Sequence, residues 1–548
     1  MFIYKKPPRS HALGEPLRHE NHPRPTTRRD FIAAGFISGP AMVMAPAWLG
    51  ALLKANRANA GAPPLDGDIS PLLGGLECNV PASGVGLPFI CFDLAGGANL
   101  VGSEVIVGQQ SGANVLSTQT NFLTTAGYGK LGVPGNMVPS SSANIDPSLG
   151  LLWHADGAIK RGIMSMITPA AAAGTNGAVI CAMSQNDTQS NPHNPMYGIA
   201  MAGRKGQLLQ LIGTDSSVSG GNSMAPMELI VPALQPSTIS QPSDATSLVP
   251  IPPGGKQDPL SVEVLETQTR ISGGTGLYNN GSGGTAAFTG ALGMPTSLYA
   301  NAPQDATLKN QVRCAYVKAV NTANQFGDPS ALDPTKDGNI TSIASKFQAN
   351  AFMDNDFAKT ATVMKLVLNG FAGAGTIAMG GYDYHDGTRA TGETRNFKAG
   401  QMIGAVLQYA SLLGVPVMIY VFSDGSLNSN SMVDSSAAGR GKLGWQGDNS
   451  SVASTFFLAY SPKGRPALRG APGTQQVGYF TADGSVVSTS SPAANSVDSL
   501  VQVVLLNYMG LSGTDANFAN AFQLWTSQPQ GLGSASQLAS LTVFQPIV

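Results

Sequence analysis

Two stretches of the sequence decide the fold: residues 375–385 read GTIAMGGYDYH, and residues 415–425 read VPVMIYVFSDG. Each is a short apolar run that ends at glycine and polar side chains, a pattern typical of a buried strand that runs into a turn. The residues between them, 397–413, carry helical periodicity. Strand, helix and strand in this order predict a right-handed crossover and a parallel sheet covered by helices.

Other apolar runs extend this pattern over most of the chain. They predict further strands over residues 87–92, 162–167, 178–183 and 455–460, and further helices over 357–371 and 497–511. The expected fold class is therefore α/β, with three α/β/α layers around a largely parallel central sheet. We expect a single domain over 87–548, after a lead-in over 61–86.

Residues 216–350 predict a long Gly/Ser/Pro-rich loop insertion that also contains helices, over 259–270 and 305–326. Within it, the segment DPTKDG at 333–338 has oxygen side chains spaced as at the start of a calcium loop. Position twelve of that loop is Ala344 instead of glutamate, so an ordinary turn is favoured.

The composition excludes several functional classes. Charged residues make up 11% of the 548-residue chain, against about 25% in typical globular proteins. This excludes a coiled coil and a nucleic-acid binder built on a basic patch. No uninterrupted apolar run of about 18 residues follows the N-terminal region, which excludes a polytopic membrane protein as well.

The first sixty residues predict an export signal. Residues 26–32 read TTRRDFI, a weakly apolar run follows over 33–53, and Ala58-Asn59-Ala60 offers a small-residue cleavage site. This is the pattern of a twin-arginine signal over residues 1–60. A membrane anchor is the alternative, but glycines and prolines in the run make it a poor span. We expect a protein of the bacterial periplasm or cell surface, exported after folding, which is compatible with a bound metal.

Cysteine and histidine limit the possible metal sites. Beyond residue 60 the chain has four cysteines without a CxxC motif, so a thiolate zinc site is not expected. Cys78 and Cys91 could close a short loop in an oxidising compartment, although the sequence leaves the pairing open. The same part of the chain has three histidines, His154, His193 and His385.

Asp383 and His385 are the first candidates for chemistry. They lie two positions apart, so in an extended segment their side chains share one face, as a carboxylate and an imidazole that bind one cation require. Asp424 at the neighbouring strand end and Asp448 in WQGDN offer further oxygens near the same crevice. Such a cluster suits an ion that polarises a phosphoryl or sulfuryl oxygen and activates water. The alternative is that Asp383 caps a turn and His385 bonds locally.

Several short motifs together resemble a known family. They are the N-terminal arginine pair, DLAGGAN at 93–99, NPH at 191–193, GGYDYH at 380–385, SD at 423–424, QGDN at 446–449 and a C-terminal helix ending MGL at 509–511. The family consists of exported bacterial proteins of unknown function, is similar to the sulfatases and belongs to the alkaline phosphatase superfamily.

The resemblance implies an alkaline-phosphatase-like fold and a set of site residues. The implied metal ligands are Asp383, His385, Asp448 and Asn449. His193 is implied as a ligand or acid and Asp424 as a residue that supports the site, and we count these two as the catalytic candidates.

The chain also departs from the family. Asn449 replaces a histidine, Gly425-Ser426-Leu427 replaces Phe-Gly-Arg, and Asn99 stands where an acidic residue is common. With imidazoles at only two matching positions, His193 and His385, the resemblance implies one divalent ion, zinc, calcium or magnesium, in place of a dinuclear site.

No nucleophile stands out in the sequence. Ser103 and Ser111 follow the first predicted strand without a surrounding motif, and GxSxG and SxxK are absent. His154 precedes a predicted helix and is interpreted as a core or surface histidine.

Two functions follow from these observations. The first is metal-dependent hydrolysis of a small-molecule phosphate or sulfate ester. The alternative is a catalytically degenerate member of the same fold that binds or assembles with a protein partner at the cell envelope. Fold analogy does not choose between them.

Overall fold

The computed structural model describes residues 86–109, 121–139, 142–184, 191–248, 329–471 and 474–548, with two short strands at 277–279 and 285–287. Several sequence predictions lie outside the described residues: the export signal over 1–60, the lead-in up to 85, Cys78, Ser111 and the helices over 259–270 and 305–326.

The strands, in chain order, are β1 (Phe89–Leu94), β2 (Ile145–Asp146), β3 (Trp153–His154), β4 (Thr175–Cys181), β5 (Leu209–Gly213), β6 (Ser237–Thr238), β7 (Leu277–Asn279), β8 (Thr285–Ala287), β9 (Ala372–Met379), β10 (Val417–Phe422), β11 (Leu427–Val433), β12 (Leu443–Asp448), β13 (Ser454–Tyr460) and β14 (Gln476–Val477). The α-helices are α1 (Thr125–Lys130), α2 (Ala158–Met166), α3 (Pro169–Ala173), α4 (Met196–Met201), α5 (Pro242–Ser247), α6 (Gly338–Phe347), α7 (Asn355–Leu368), α8 (Ala390–Leu413), α9 (Val497–Leu511), α10 (Phe518–Thr526) and α11 (Ala535–Leu541).

Eight strands form one central sheet in the order β14-β4-β13-β10-β1-β9-β5-β6. The five strands from β10 to β6 are parallel, and β13 is antiparallel to both of its neighbours. The sheet is therefore mixed but largely parallel, which confirms the predicted α/β class. The carboxyl ends of β1, β9 and β10 lie side by side, and we call the edge that they form the carboxyl edge.

Both faces of the sheet are buried under helices. Along β1, Ile90 and Phe92 face a hydrophobic cluster that includes residues of α2, α7 and α8. Phe89 and Cys91 face a second cluster that includes residues of α4, α9 and α10. A strand buried on both faces needs a continuous apolar run, which explains why β1, β9 and β10 could be recognised in the sequence. No helix in the described ranges combines the length and apolarity needed to cross a bilayer.

One predicted strand is wrong. Residues 162–167 lie mostly in α2, where Ile159, Ile163 and Met166 are buried at helical spacing. The run is short and apolar, a pattern that periodicity alone does not distinguish from a buried strand. Three strands of the central sheet, β5, β6 and β14, were not predicted, because each is at most five residues long and forms no extended apolar run.

Two further expectations concern loops and cysteines. Asp333 and Asp337 accept backbone hydrogen bonds at the starts of short helices, so the segment at 333–338 is an ordinary turn, as favoured. The possible Cys78–Cys91 bridge is wrong, because Cys91 is a free thiol inside β1 and contacts Thr376 Oγ1 at 3.3 Å. Cys181, in β4, is also free and buried.

Helices α2 and α8 pack closely through glycines. A Cβ at Gly400 would lie 2.0 Å from the Ile159 carbonyl oxygen, and a Cβ at Gly162 would lie 2.1 Å from the Phe397 carbonyl oxygen. Both neighbours are backbone atoms, so a side chain at either position would force the helices apart.

We therefore expect Gly400→Ala to lower the free energy of unfolding by about 1–3 kcal/mol through overpacking. The matched control is Gly129→Ala in α1, where an added methyl group would meet no heavy atom within 4 Å. Because alanine favours helix over glycine, the control should be neutral or stabilising by up to about 1 kcal/mol. Urea unfolding of both variants measures the difference, and equal stabilities would contradict the close packing.

Candidate metal centre

The glycine turn after β1 brings three strand ends together. Gly96 and Gly97 have φ of +119° and +101°, which glycine adopts without strain. Gly96 N–H donates to Asp424 Oδ1 at 2.8 Å, and Gly97 N–H donates to Ser423 Oγ at 3.0 Å. A Cβ at Gly96 would lie 2.4 Å from the Asp383 backbone nitrogen. The segments that follow β1, β9 and β10 therefore touch at this turn.

Three of the four predicted metal ligands meet at the carboxyl edge. Ligand atoms of Asp383, His385 and Asp448 lie within 4.8 Å of one another, and we call these residues the Asp–His cluster. His385 Nε2 lies 2.7 Å from Asp383 Oδ1. All three side chains are exposed, with the Asp383 side chain at 57% and the His385 side chain at 42%. The spacing of Asp383 and His385 in the sequence did place them on one face.

The donor set of the Asp–His cluster fits one divalent ion. Metal–ligand distances of about 2.0–2.6 Å keep two ligands of the same ion within about 5 Å of each other, and the ligand atoms of these three residues lie within 4.8 Å of one another. One imidazole with two carboxylates suits zinc, whereas calcium and magnesium prefer oxygen ligands. The three exposed donors leave room for water or a substrate oxygen on the ion.

Asn449, the fourth predicted ligand, has a local structural role. Its Oδ1 accepts hydrogen bonds from Ser451 N at 3.1 Å and Ser451 Oγ at 2.7 Å, which caps a short 3₁₀ turn. Its backbone N–H donates to Ser426 O at 2.8 Å. These contacts fix the backbone next to Asp448, and the role of Asn449 as a ligand stays a prediction.

His193 lies inside the fold and outside the Asp–His cluster. Its ring is 2% exposed and stacks on Phe422 with centroids 5.7 Å apart. Nε2 lies 3.4 Å from Ser184 Oγ, and Nδ1 has no hydrogen-bond partner among the described residues. Burial lowers the pKa of His193 to about 3, so the ring is neutral at physiological pH. Its catalytic role stays a prediction, and in this conformation a ligand in solvent does not reach it.

Asp424 is 2% exposed and lies outside the Asp–His cluster. Its Oδ1 accepts from Gly96 N–H, and its Oδ2 lies 3.4 Å from Asn222 Nδ2. It therefore holds the glycine turn that contacts Asp383, which agrees with a supporting position. Its predicted catalytic role remains to be tested.

The candidates predicted from the sequence do not include Asp93, near the end of β1. Its fully buried carboxylate accepts from Ser223 N–H at 2.7 Å and from Ser223 Oγ at 3.2 Å. Burial raises the pKa of Asp93 to about 7, and the charge of Asp424 contributes to the rise. The available signal was an aspartate within the apolar run FICFDL.

The other two candidates from the sequence lie in the core. Ser103 is fully buried, and its hydroxyl has no partner within the described part of the chain, so it is not presented to a substrate in this conformation. His154 is 1% exposed, and its Nε2 lies 2.9 Å from the Met137 carbonyl oxygen. Burial lowers the pKa of His154 to about 4. The sequence left His154 as a core or a surface histidine, and this position is that of a core histidine.

Comparisons with known proteins found no family model, no curated protein and no solved structure that matches this chain.

The raised pKa of Asp93 predicts a specific pH dependence. In the folded protein this carboxyl loses its proton near pH 7, whereas an aspartate in water has an ordinary pKa of 3.8. The folded state therefore binds the extra proton between about pH 4 and pH 7, and its stability falls as the pH rises through that range. Asn cannot titrate, so Asp93→Asn should gain roughly 2–4 kcal/mol relative to wild type between pH 4 and pH 8.

Urea unfolding of both proteins at the two pH values, with a chelator present, measures this change. A difference between variant and wild type that does not depend on pH would show that Asp93 titrates normally in the folded state.

Proposed function

We propose that the protein binds one divalent cation at the Asp–His cluster and hydrolyses a small-molecule phosphate or sulfate ester there. The observation that carries the proposal is the convergence of Asp383, His385 and Asp448 at the carboxyl edge. In open α/β sheets, ligands bind outside the carboxyl ends of the strands. The resemblance to the sulfatase-like branch of the alkaline phosphatase superfamily supports the same reaction class.

In this proposal the side chains of the Asp–His cluster hold the ion in place, and the ion acts as the Lewis acid. A divalent ion on Asp383, His385 and Asp448 would polarise the ester oxygen and lower the pKa of a bound water. The Asp424 carboxylate accepts a hydrogen bond from Gly96 N–H, and Gly96 contacts the Asp383 backbone. Asp424 therefore positions Asp383 through the glycine turn. Zinc, calcium and magnesium are the ions to test.

We further propose that the protein acts in the periplasm or at the cell surface after twin-arginine export. The support is the arginine pair at residues 28 and 29, followed by a weakly apolar run. Replacing Arg28 and Arg29 together by lysine should retain the protein inside a bacterial host, because the export machinery reads the arginine pair. Fractionation and immunoblotting measure this, and unchanged export would contradict the signal.

The central test is metal affinity. Asp383→Asn removes one anionic ligand and should weaken binding of the preferred ion by at least about tenfold. The matched control is Asp386→Asn, an exposed aspartate in the same loop whose Oδ1 accepts from Thr388 and which lies outside the Asp–His cluster. Isothermal titration with zinc, calcium and magnesium, combined with elemental analysis, gives the affinities.

Turnover of p-nitrophenyl phosphate and p-nitrophenyl sulfate should follow metal occupancy in the same set of proteins. Wild type that binds none of the three ions would contradict the proposal. Equal loss of affinity in Asp383→Asn and Asp386→Asn would show a nonspecific charge effect.

A specific observation supports the second candidate, a non-catalytic envelope protein of the same fold. His193 is buried and neutral, and the described part of the chain places a single imidazole in the Asp–His cluster. A cation there would then order the loops that a protein partner contacts. Metal binding without turnover of either ester would favour this candidate, whereas metal-dependent turnover would exclude it.

A further inference from the structure

Arg395 places a guanidinium group beside the segment that carries the Asp–His cluster. It lies in the second turn of α8 and is half-buried. A Cβ at Gly381 would lie 2.9 Å from Arg395 Cζ and 3.0 Å from Nη2, so the guanidinium lies over the Gly381 backbone. Gly381 precedes Asp383 by two residues and has φ of +86°. A side chain at this position would be strained and would also displace the guanidinium.

Tyr382, in the same loop as Gly381, also contacts Arg395. The Tyr382 ring is 1% exposed, and its hydroxyl donates to the Arg395 backbone carbonyl at 3.1 Å. The loop after β9 and the second turn of α8 are therefore joined by a buried tyrosine. The guanidinium lies over Gly381, two residues before Asp383, and no acidic side chain in the described part of the chain pairs with it.

The Arg395 guanidinium makes no hydrogen bond or ion pair with any described residue. Its neighbour Lys398, three residues along α8, pairs with Asp354 at 3.0 Å and with Asp356 at 2.7 Å. An arginine fork has five donors in a plane and matches the oxygens of a phosphate or sulfate group. Gly380 and Gly381 are exposed beside it, so an anion can approach from solvent.

We propose that Arg395 binds the anionic oxygens of a phosphate or sulfate group at the carboxyl edge, next to the Asp–His cluster. This inference rests on the proposed function for the substrate class. The anion contact itself requires only the guanidinium and the exposed loop.

Titration of the full-length protein with inorganic phosphate and with inorganic sulfate tests the proposal. The titrations are made with saturating magnesium and again with chelator, on wild type, Arg395→Gln, Arg395→Lys and Lys398→Gln. Arg395→Gln should weaken anion binding by about tenfold or more, the size expected for a lost charge-assisted fork. The anion affinity of Arg395→Lys should lie between those of wild type and Arg395→Gln, because lysine keeps the positive charge but lacks the planar arrangement of donors. Lys398→Gln removes a charge from the same helix and should change affinity by less than about twofold.

The outcomes separate this inference from the proposed function. Equal anion affinity in wild type and Arg395→Gln overturns the inference, and so does a wild type that binds neither anion in either condition. Anion binding that depends on Arg395 while no metal binds supports the anion site and contradicts the metal-dependent hydrolase. Thermal unfolding checks that the Arg395 variants are folded. Unequal affinities for phosphate and sulfate identify the preferred group.

Discussion

The close approach of backbone at Gly96 is the constraint on which the candidate site depends. The turn after β1 donates backbone hydrogen bonds to Asp424 and Ser423 and touches the backbone of Asp383. Three segments from distant parts of the sequence therefore share one point of contact. Any side chain at Gly96 would push Asp383 away from the end of β10. The position of Asp383, a candidate ligand, thus depends on this glycine turn.

Much of the fold could be predicted because the central strands are buried on both faces. Strands β1, β9 and β10 appear in the sequence as continuous apolar runs that stop at glycine, and α8 and α9 show as long periodic segments. The error at α2 has the same origin. Six apolar or small residues read alike in a buried strand and in a buried helix, and only the packing of Ile159 and Ile163 distinguishes them.

The candidate site was predictable where its residues are close in sequence. Asp383 and His385 share a face by spacing alone, and Asp448 ends a hairpin whose first strand begins three residues after Asp424. Asp93 was not predictable, because its partner Ser223 lies 130 residues away. The His193 ring is likewise buried against a residue that is distant in the sequence, Phe422. Contacts over such separations leave no local pattern in a single sequence.

Two buried carboxyl groups in this protein, those of Glu393 and Asp93, have pKa values that are shifted in opposite directions. Glu393 in α8 is bonded to Arg389, Arg161 and Lys442, and these cations hold the pKa of its carboxyl below the usual range despite burial. Asp93 is also buried, and its carboxylate accepts hydrogen bonds from the backbone N–H and the hydroxyl of Ser223. No described cation pairs with it, and its pKa is raised. The negative charge of Glu393 is thus compensated by these three cations. The charge of Asp93 has no such compensation within the described residues, so its pKa responds to the charges around it, as the raising effect of Asp424 shows.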